Sequence, residues 1–299
     1  RPILHSARDE LTAKTVIARA GLNSLARYSE HVDGIVRRIY LTARDCTDIP
    51  VVLVALGGYG RKQLCLHSDI DLLLLFAEPV GSAEEQFLKS MLHPLWDLGF
   101  DVGHHLREIA DLEQPDANNP EFLVSLLEAR YLDGDAVLFE QLTDICTGTE
   151  APWRDPILKA LLDLVEQRHT QFNKTLYQLE PDVKNAPGAL RDVLAVRMIS
   201  QLVDPLRHPH LDMGKVSEAE DFLLRIRSIL HLDRRRNLNV LSHELQETVV
   251  KSFGSPGEQL ARQVETLMST YFHHARIINR ALKSTLKALV VTPDDPAVP

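Results

Sequence analysis

Two short apolar runs, joined through glycines and carboxylates, constrain this chain more than anything else in it. Val51 to Leu56 is an unbroken aliphatic run that ends on Gly57-Gly58, and Ser68-Asp69-Ile70-Asp71 opens a second run, Leu72 to Phe76. Runs this short, apolar without alternation, read as strands buried on both faces. Side chains two apart on a strand share a face. Asp69 and Asp71 therefore present their carboxylates side by side, while Ile70 and Leu72 turn into the core. Two carboxylates forced together resist ionising unless a cation sits between them. Mg2+ resolves that conflict, because it binds through one or two carboxylates plus substrate phosphates; Mn2+ is the substitute metal.

The glycine pair has its own logic. After a strand, a turn without side chains lets backbone N–H groups approach phosphate, and a helix opening there adds the positive end of its dipole. Arg61 is placed to reach a phosphate as a bidentate donor, and Ser68 to donate to the same phosphates. Other phosphate motifs do not fit: Gly57, Gly58 and Gly60 lack the spacing of a dinucleotide fold, and no GxxxxGK[ST] occurs. Asp-x-Asp alone would read as solvated residues at a strand end. Preceded by strand, Gly-Gly and helix, it reads as a nucleotidyltransferase site.

Around this pair the chain divides by content. Residues 8–46 carry a helical apolar period, Ala83 to Leu98 forms an amphipathic helix, and Asp101 to Glu108 a third strand. From Asn119 strand signals nearly vanish, and segments 119–132, 134–146, 155–178, 188–202, 217–237 and 257–290 read as helices. Breaks fall at Gly134, Pro152, Pro187, Pro205 and Gly254 to Gly257. The expected fold is α+β: a helical segment over 1–48, a small nucleotidyltransferase sheet with flanking helices over 49–115, an all-helical domain over 116–290 and a flexible tail over 291–299. No apolar run approaches the roughly 20 residues of a membrane span. A net charge of −9 argues against broad binding to nucleic acid. Cys46, Cys65 and Cys146 fit neither a disulfide framework nor a zinc ribbon, and read as reduced thiols of a cytoplasmic protein.

Gly-Gly followed by Asp-x-Asp resembles the signature of the polymerase-β-like nucleotidyltransferase superfamily. The longer text, GGYGR…SDIDLLLL, resembles more specifically the PII uridylyltransferases (GlnD) of bacterial nitrogen control. Gly103-His104-x-x-Arg107 is similar to that family's GHSVR segment, and Ala129-Arg130-Tyr131-Leu132-x-Gly134-Asp135 to ARLLxGD. Leu179 to Lys184, leading to Pro187 to Asp192, resembles LEPNVKxGPGGLRD. The resemblance implies UTP, or else ATP, as donor and a tyrosine of a PII-type signal protein as acceptor. It also favours Lys184 and Arg191, flanking a Pro-Gly turn, as a second phosphate clamp, with Asp192 and Glu180 either orienting those cations or approaching the metal.

Departures from the family lie near the expected site. Gln63-Leu64-Cys65-Leu66 stands where the family has Glu-Leu-Phe-Pro, Ala189 replaces a glycine, and His105 replaces the serine of GHSVR. The HD phosphohydrolase and ACT domains of the family's long members do not fit within 299 residues. The chain is thus expected to be a fragment or a short, single-activity relative. A catalytically degenerate module that senses nucleotide or docks a partner is the alternative. No third carboxylate is assigned. His104-His105, His208-Pro209-His210 and His273-His274 lack zinc-ligand spacing, and Arg234-Arg235-Arg236 reads as a solvated helix face.

Overall fold

The computed structural model describes residues 2–45, 49–203, 211–254 and 259–290. Cys46, Pro205, His208, His210, Gly257 and the tail from 291 lie outside the described residues.

Among the described residues, four strands form one mixed sheet. β1 (Val51–Leu56) lies at its centre, antiparallel to β2 (Ile70–Phe76) on one side and to β4 (Arg130–Gly134) on the other. β2 pairs in parallel with β3 (Val102–Glu108), giving the order β3-β2-β1-β4. A parallel pair needs a crossover, and the helix Ser82–Asp97 supplies it.

The non-alternating apolar runs are explained by two cores, one on each face of the sheet. Leu53, Ala55, Ile70, Leu72 and Leu74 pack with Leu11, Leu25, Val32, Tyr40 and Phe87 from three helices, α1 (Pro2–Val16), α2 (Leu22–Arg44) and α4, the Ser82–Asp97 crossover. Val52, Val54, Leu56, Leu73 and Leu75 face the other way, into a core continuous with the C-terminal helices. Those helices include α5 (Pro120–Ser125), α6 (Ala136–Cys146), α7 (Arg154–Gln171), α8 (Leu190–Leu202), α9 (Met213–Arg234), α10 (His243–Phe253) and α11 (Leu260–Val290). Each such strand residue, at 0–1% exposure, contributes roughly 1.5–3 kcal/mol of burial. Asp71 shares its parity along β2 with Leu73 and Leu75. Its carboxylate is therefore aimed at the helical region.

Three expectations need correction. The segment 119–132 is not one helix: α5 ends at Ser125, a 3-10 turn follows, and Arg130 begins β4, so the sheet draws its last strand from chain read as helical. Leu126 and Leu132 kept the apolar pattern ambiguous between the two periods. The helix expected at 155–178 stops at Gln171, and α10 was not anticipated. The helix opening at the glycine pair, α3 (Gly57–Gly60), is a single turn. It is too short to contribute much dipole, so what the turn itself offers an anion is its backbone N–H groups.

Candidate active site

The glycine turn is held from behind. Arg130, first residue of β4, donates from Nη2 to the Tyr59 carbonyl (3.0 Å) and from Nε to that of Gly60 (2.9 Å). Its guanidinium is gripped by both carboxylate oxygens of the buried Asp33 on α2, at 2.8 and 3.0 Å. In front of the turn lies the Asp71 carboxylate. Gly57 adopts φ +54°, a conformation that favours glycine, and a Cβ there would stand 2.9 Å from Asp71 Oδ2. On the neighbouring strand a Cβ at Gly103 would stand 2.6 Å from Asp71 Oδ1. The carboxylate is wedged between two glycines.

Asp69 and Asp71 open onto a cavity of about 250 Å³ between the sheet and the helical region. All eight residues expected at the site line it: Gly57, Gly58, Arg61, Ser68, Asp69, Asp71, Lys184 and Arg191. Their bonding differs from one to the next. Arg61 is ion-paired with Glu128, and its Nε donates to Gln63 Oε1 at 3.0 Å, so its fork is already engaged. Ser68 Oγ accepts from the Cys65 backbone N–H at 3.1 Å, which leaves its own proton to donate. The Lys184 ammonium has no hydrogen-bond partner among the described residues. Arg191, exposed on the first turn of α8, likewise pairs with none of them.

The loop carrying Lys184 is stitched to the segment after α9. Val183 N–H donates to the Asn239 carbonyl (2.8 Å), and Leu241 N–H to that of Pro181 (2.9 Å). That segment also brings Asn237, whose amide reaches Asp69 Oδ2 at 3.4 Å. Arg227 of α9 is buried at 7% exposure, lines the cavity, and bonds only to amide oxygens, Asn239 at 2.8 Å and Asn237 at 3.4 Å. No described carboxylate neutralises it.

Proton affinities follow from this crowding. Burial first, and Asp69 beside it second, push the Asp71 carboxyl above the usual carboxylate range, against the pull of Lys184 and Arg61. Burial, then repulsion by Arg227, Arg191 and Arg61, brings Lys184 down to about 8. Burial likewise lowers Arg61 to about 10, with Arg227 and Arg197 adding to it and Glu220 opposing. A cation beside Asp71 and an anion beside Lys184 would each offset the crowding that shifts that group.

Asp192 and Glu180 take neither of the roles expected of them, and neither lines the cavity. Asp192 is fully buried, ion-paired with Arg168, bonded to His169 Nε2 at 2.9 Å, and accepts the Gly188 N–H at 2.7 Å. It thereby aims Arg168, a cavity-lining residue that sequence reasoning missed. Glu180 accepts the His243 N–H at 2.8 Å, at the start of α10.

The departures sort themselves. His105 stacks on Phe122 (4.7 Å between centroids) and does not line the cavity. Ala189 adopts φ −98° and ψ −170°, which alanine accommodates, while Gly188 carries the positive φ of that turn. Gln63 does matter: its amide donates to Glu220 Oε1 at 2.8 Å, and Glu220 is also held by Arg197 at 2.6 Å.

Glu220 and Arg227 had a signal in the sequence. Val216, Glu220, Leu223, Arg227 and Leu230 recur every three or four residues, so two charged groups sit on the buried stripe of α9. Charged residues on a buried stripe are rare unless paired or functional.

A mixed sheet whose central strand ends in a glycine turn, against an Asp-x-Asp strand under a basic cavity, is the nucleotidyltransferase arrangement of the polymerase-β-like superfamily. Comparison with known proteins narrows this. A family model described as GlnD PII-uridylyltransferase matches residues 157–286, the helical side of the cavity. Curated relatives extend the match across the sheet. The bifunctional uridylyltransferase/uridylyl-removing enzyme of Pasteurella multocida is 32% identical over 84% of this chain and 30% of its own length. That of Methylococcus capsulatus is 35% identical over 79% and 28%, and that of Nitrosospira multiformis 31% identical over 100% and 35%. The chain belongs to the PII-uridylyltransferase (GlnD) family, and it spans about 30% of the length of these relatives.

Proposed function

We propose that this chain is a nucleotidyltransferase unit that moves UMP from UTP onto a protein hydroxyl, a tyrosine of a PII-type signal protein, and releases pyrophosphate. The observation that carries this reading is the pairing of opposites in one cavity. Two carboxylates on a strand start face Lys184, Arg191 and Arg227, three cations without anionic partners among the described residues. A metal-bound triphosphate satisfies both sets at once.

Asp69 and Asp71 fit Mg2+ by the chemistry of their donors: hard oxygens, two in number, with the Asp71 proton affinity raised by burial and by Asp69. When bound, such an ion supplies charge stabilisation at the oxygens entering and leaving phosphorus. The protein's own groups do the rest. Backbone N–H groups of the Gly57-Gly58 turn and the Ser68 hydroxyl donate to phosphate oxygens, and Lys184 and Arg191 offset the charge that accumulates on the leaving pyrophosphate. Leu161 and Leu164 of α7, with Leu190 and Leu194 of α8, form an aliphatic wall suited to a flat base. In the transfer, the acceptor oxygen bonds to the α-phosphorus as the α–β bridging bond breaks. Its electron pair leaves with pyrophosphate, and the hydroxyl proton passes to solvent. The uridylyl group follows the names of the relatives, and the PII acceptor that of the family.

The test is transfer of label from α-phosphate-labelled UTP, ATP, CTP or GTP to a purified PII-type protein, with Mg2+ present. Label from UTP in the native chain, abolished in the Asp69→Asn, Asp71→Asn double variant with its fold intact, supports the reading. Undiminished transfer by that variant refutes it. Nucleotide binding without any pyrophosphate release would instead identify a sensing module.

A further inference from the structure

The aspartate pair borders two cavities. Besides the basic one, an open cavity of about 360 Å³ is lined by Asp69, Asp71, Trp96, Asp101, Val102 and Gly103. The two share only Asp69 and Asp71. Their charges differ: five cationic side chains line the first beside Asp69, Asp71, Glu121, Glu128 and Glu220, and Lys184, Arg191 and Arg227 among them have no anionic partner among the described residues, whereas no described Lys, Arg or His lines the second. A polyphosphate is repelled from the second.

Its rim is built of fixed backbone and one exposed ring. Trp96 stands on the last turn of α4 and is 47% exposed, although the backbone around it is tied down: Gly99 N–H donates to the Trp96 carbonyl (2.8 Å) and Phe100 N–H to that of Leu95 (3.2 Å). Asp101 is fixed beside the pair by its carbonyl, which accepts the Ile70 N–H at 2.8 Å. An indole about half exposed on an ordered rim, its ring 5.6 Å from that of His93, suits a partner that covers the rest of it.

We propose that this second cavity is the acceptor site: a protein segment bearing an aromatic hydroxyl on a neutral or basic stretch docks over Trp96 and presents its oxygen to Asp69 and Asp71 from the side opposite the triphosphate. The proposal rests on the transferase reading above. In-line displacement at phosphorus requires the attacking and leaving oxygens to stand on opposite sides. If the basic cavity takes the pyrophosphate end, the acceptor must come from the other. Ring-on-ring packing against the indole favours a phenol over an aliphatic alcohol. Asp101 attracts a basic flank and disfavours an acidic one.

The experiment measures KM for a purified PII-type acceptor and, separately, Kd for UTP with Mg2+, in the full chain and in Trp96→Ala, Trp96→Glu and Trp96→Phe. Trp96 is half exposed, so the variants should fold. The expected result is a KM for acceptor raised about tenfold or more in the Ala and Glu variants, largely restored in Phe, with UTP affinity within twofold of the native chain. An unchanged acceptor KM overturns the proposal. So does a UTP Kd that rises in step with KM, which would put Trp96 on the nucleotide side. Failure of the native chain to bind UTP at all is a different result: it overturns the transferase reading, and the acceptor site with it.

Discussion

Asp71 and Gly103 are register partners across the parallel β2–β3 pair, and the carboxylate of the one occupies the space a side chain on the other would fill. The relationship turns a segment known from sequence only as a family resemblance into a steric requirement. Gly103→Ala puts a methyl 2.6 Å from Oδ1, so the carboxylate must swing toward Gly57, whose own Cα hydrogens limit it. A displacement near 1 Å at reacting groups costs on the order of 100-fold in rate. Gly103→Ala should lose about that much transfer activity. Its circular dichroism and melting point should stay close to native, since Gly103 lies on an edge strand and packs no core residue. Native-like activity would show that the Asp71 rotamer seen here is not the working one.

Lys184 gives the site a pH dependence with a definite sign. Its ammonium titrates at about 8, so it is charged below that value and neutral above it. Triphosphate affinity should be flat from pH 6.5 to about 7.5 and weaken as pH rises through 8 and beyond. The bound anion favours the protonated lysine, so binding takes up a proton on the alkaline side. Isothermal titration in buffers of differing ionisation enthalpy would detect that proton. Lys184→Gln should bind more weakly and lose the alkaline fall-off. A variant that retains the fall-off would assign it elsewhere.

The Asp33–Arg130 pair should be felt as stability before it is felt as activity. Asp33 is 6% exposed, and Arg130 also ties the carbonyls of Tyr59 and Gly60. Removing one partner of a buried ion pair strands the other, at a cost of about 3 kcal/mol. Asp33→Ala and Arg130→Ala should each lower the denaturation free energy by about that amount. The double variant should fall short of the sum, because the two share one interaction. Strict additivity would mean the pair is not coupled.

What the sequence disclosed, and what it withheld, divides along physical lines. Lys184 and Arg191 rested on the family resemblance, whereas β1, β2, the glycine turn and Gly57, Gly58, Arg61, Ser68, Asp69 and Asp71 were readable because buried strands and phosphate turns impose strong local patterns. The partners of those residues were not. Glu128 meets Arg61, Asp33 meets Arg130, and Asn237 meets Asp69 across 168 positions, contacts that depend on how helices pack onto the sheet. β4 was lost because Arg130 to Gly134 is five residues long, carries charges at Arg130 and Asp133, and has a bulge in its pairing. Arg227 and Glu220 could have been noticed as charges on an apolar stripe. Nothing local distinguishes such a pair from a structural one.

Gln63 is the departure with a testable cause. The family resemblance places glutamate there, yet here the side chain lies between a cation and a carboxylate: it accepts from Arg61 Nε at 3.0 Å and donates to Glu220 at 2.8 Å. A carboxylate at 63 would keep the first contact but oppose Glu220, turning a donor into a like charge in a buried setting. Gln63→Glu alone should therefore destabilise the chain by about 1–3 kcal/mol and weaken nucleotide binding through the shifted Arg61. Pairing it with Glu220→Gln restores one donor between the two acceptors and should recover most of both losses. Recovery in a double-mutant cycle would show that the substitution at 63 is compensated by α9. Equal losses in Gln63→Glu and the double variant would show instead that the two positions vary independently.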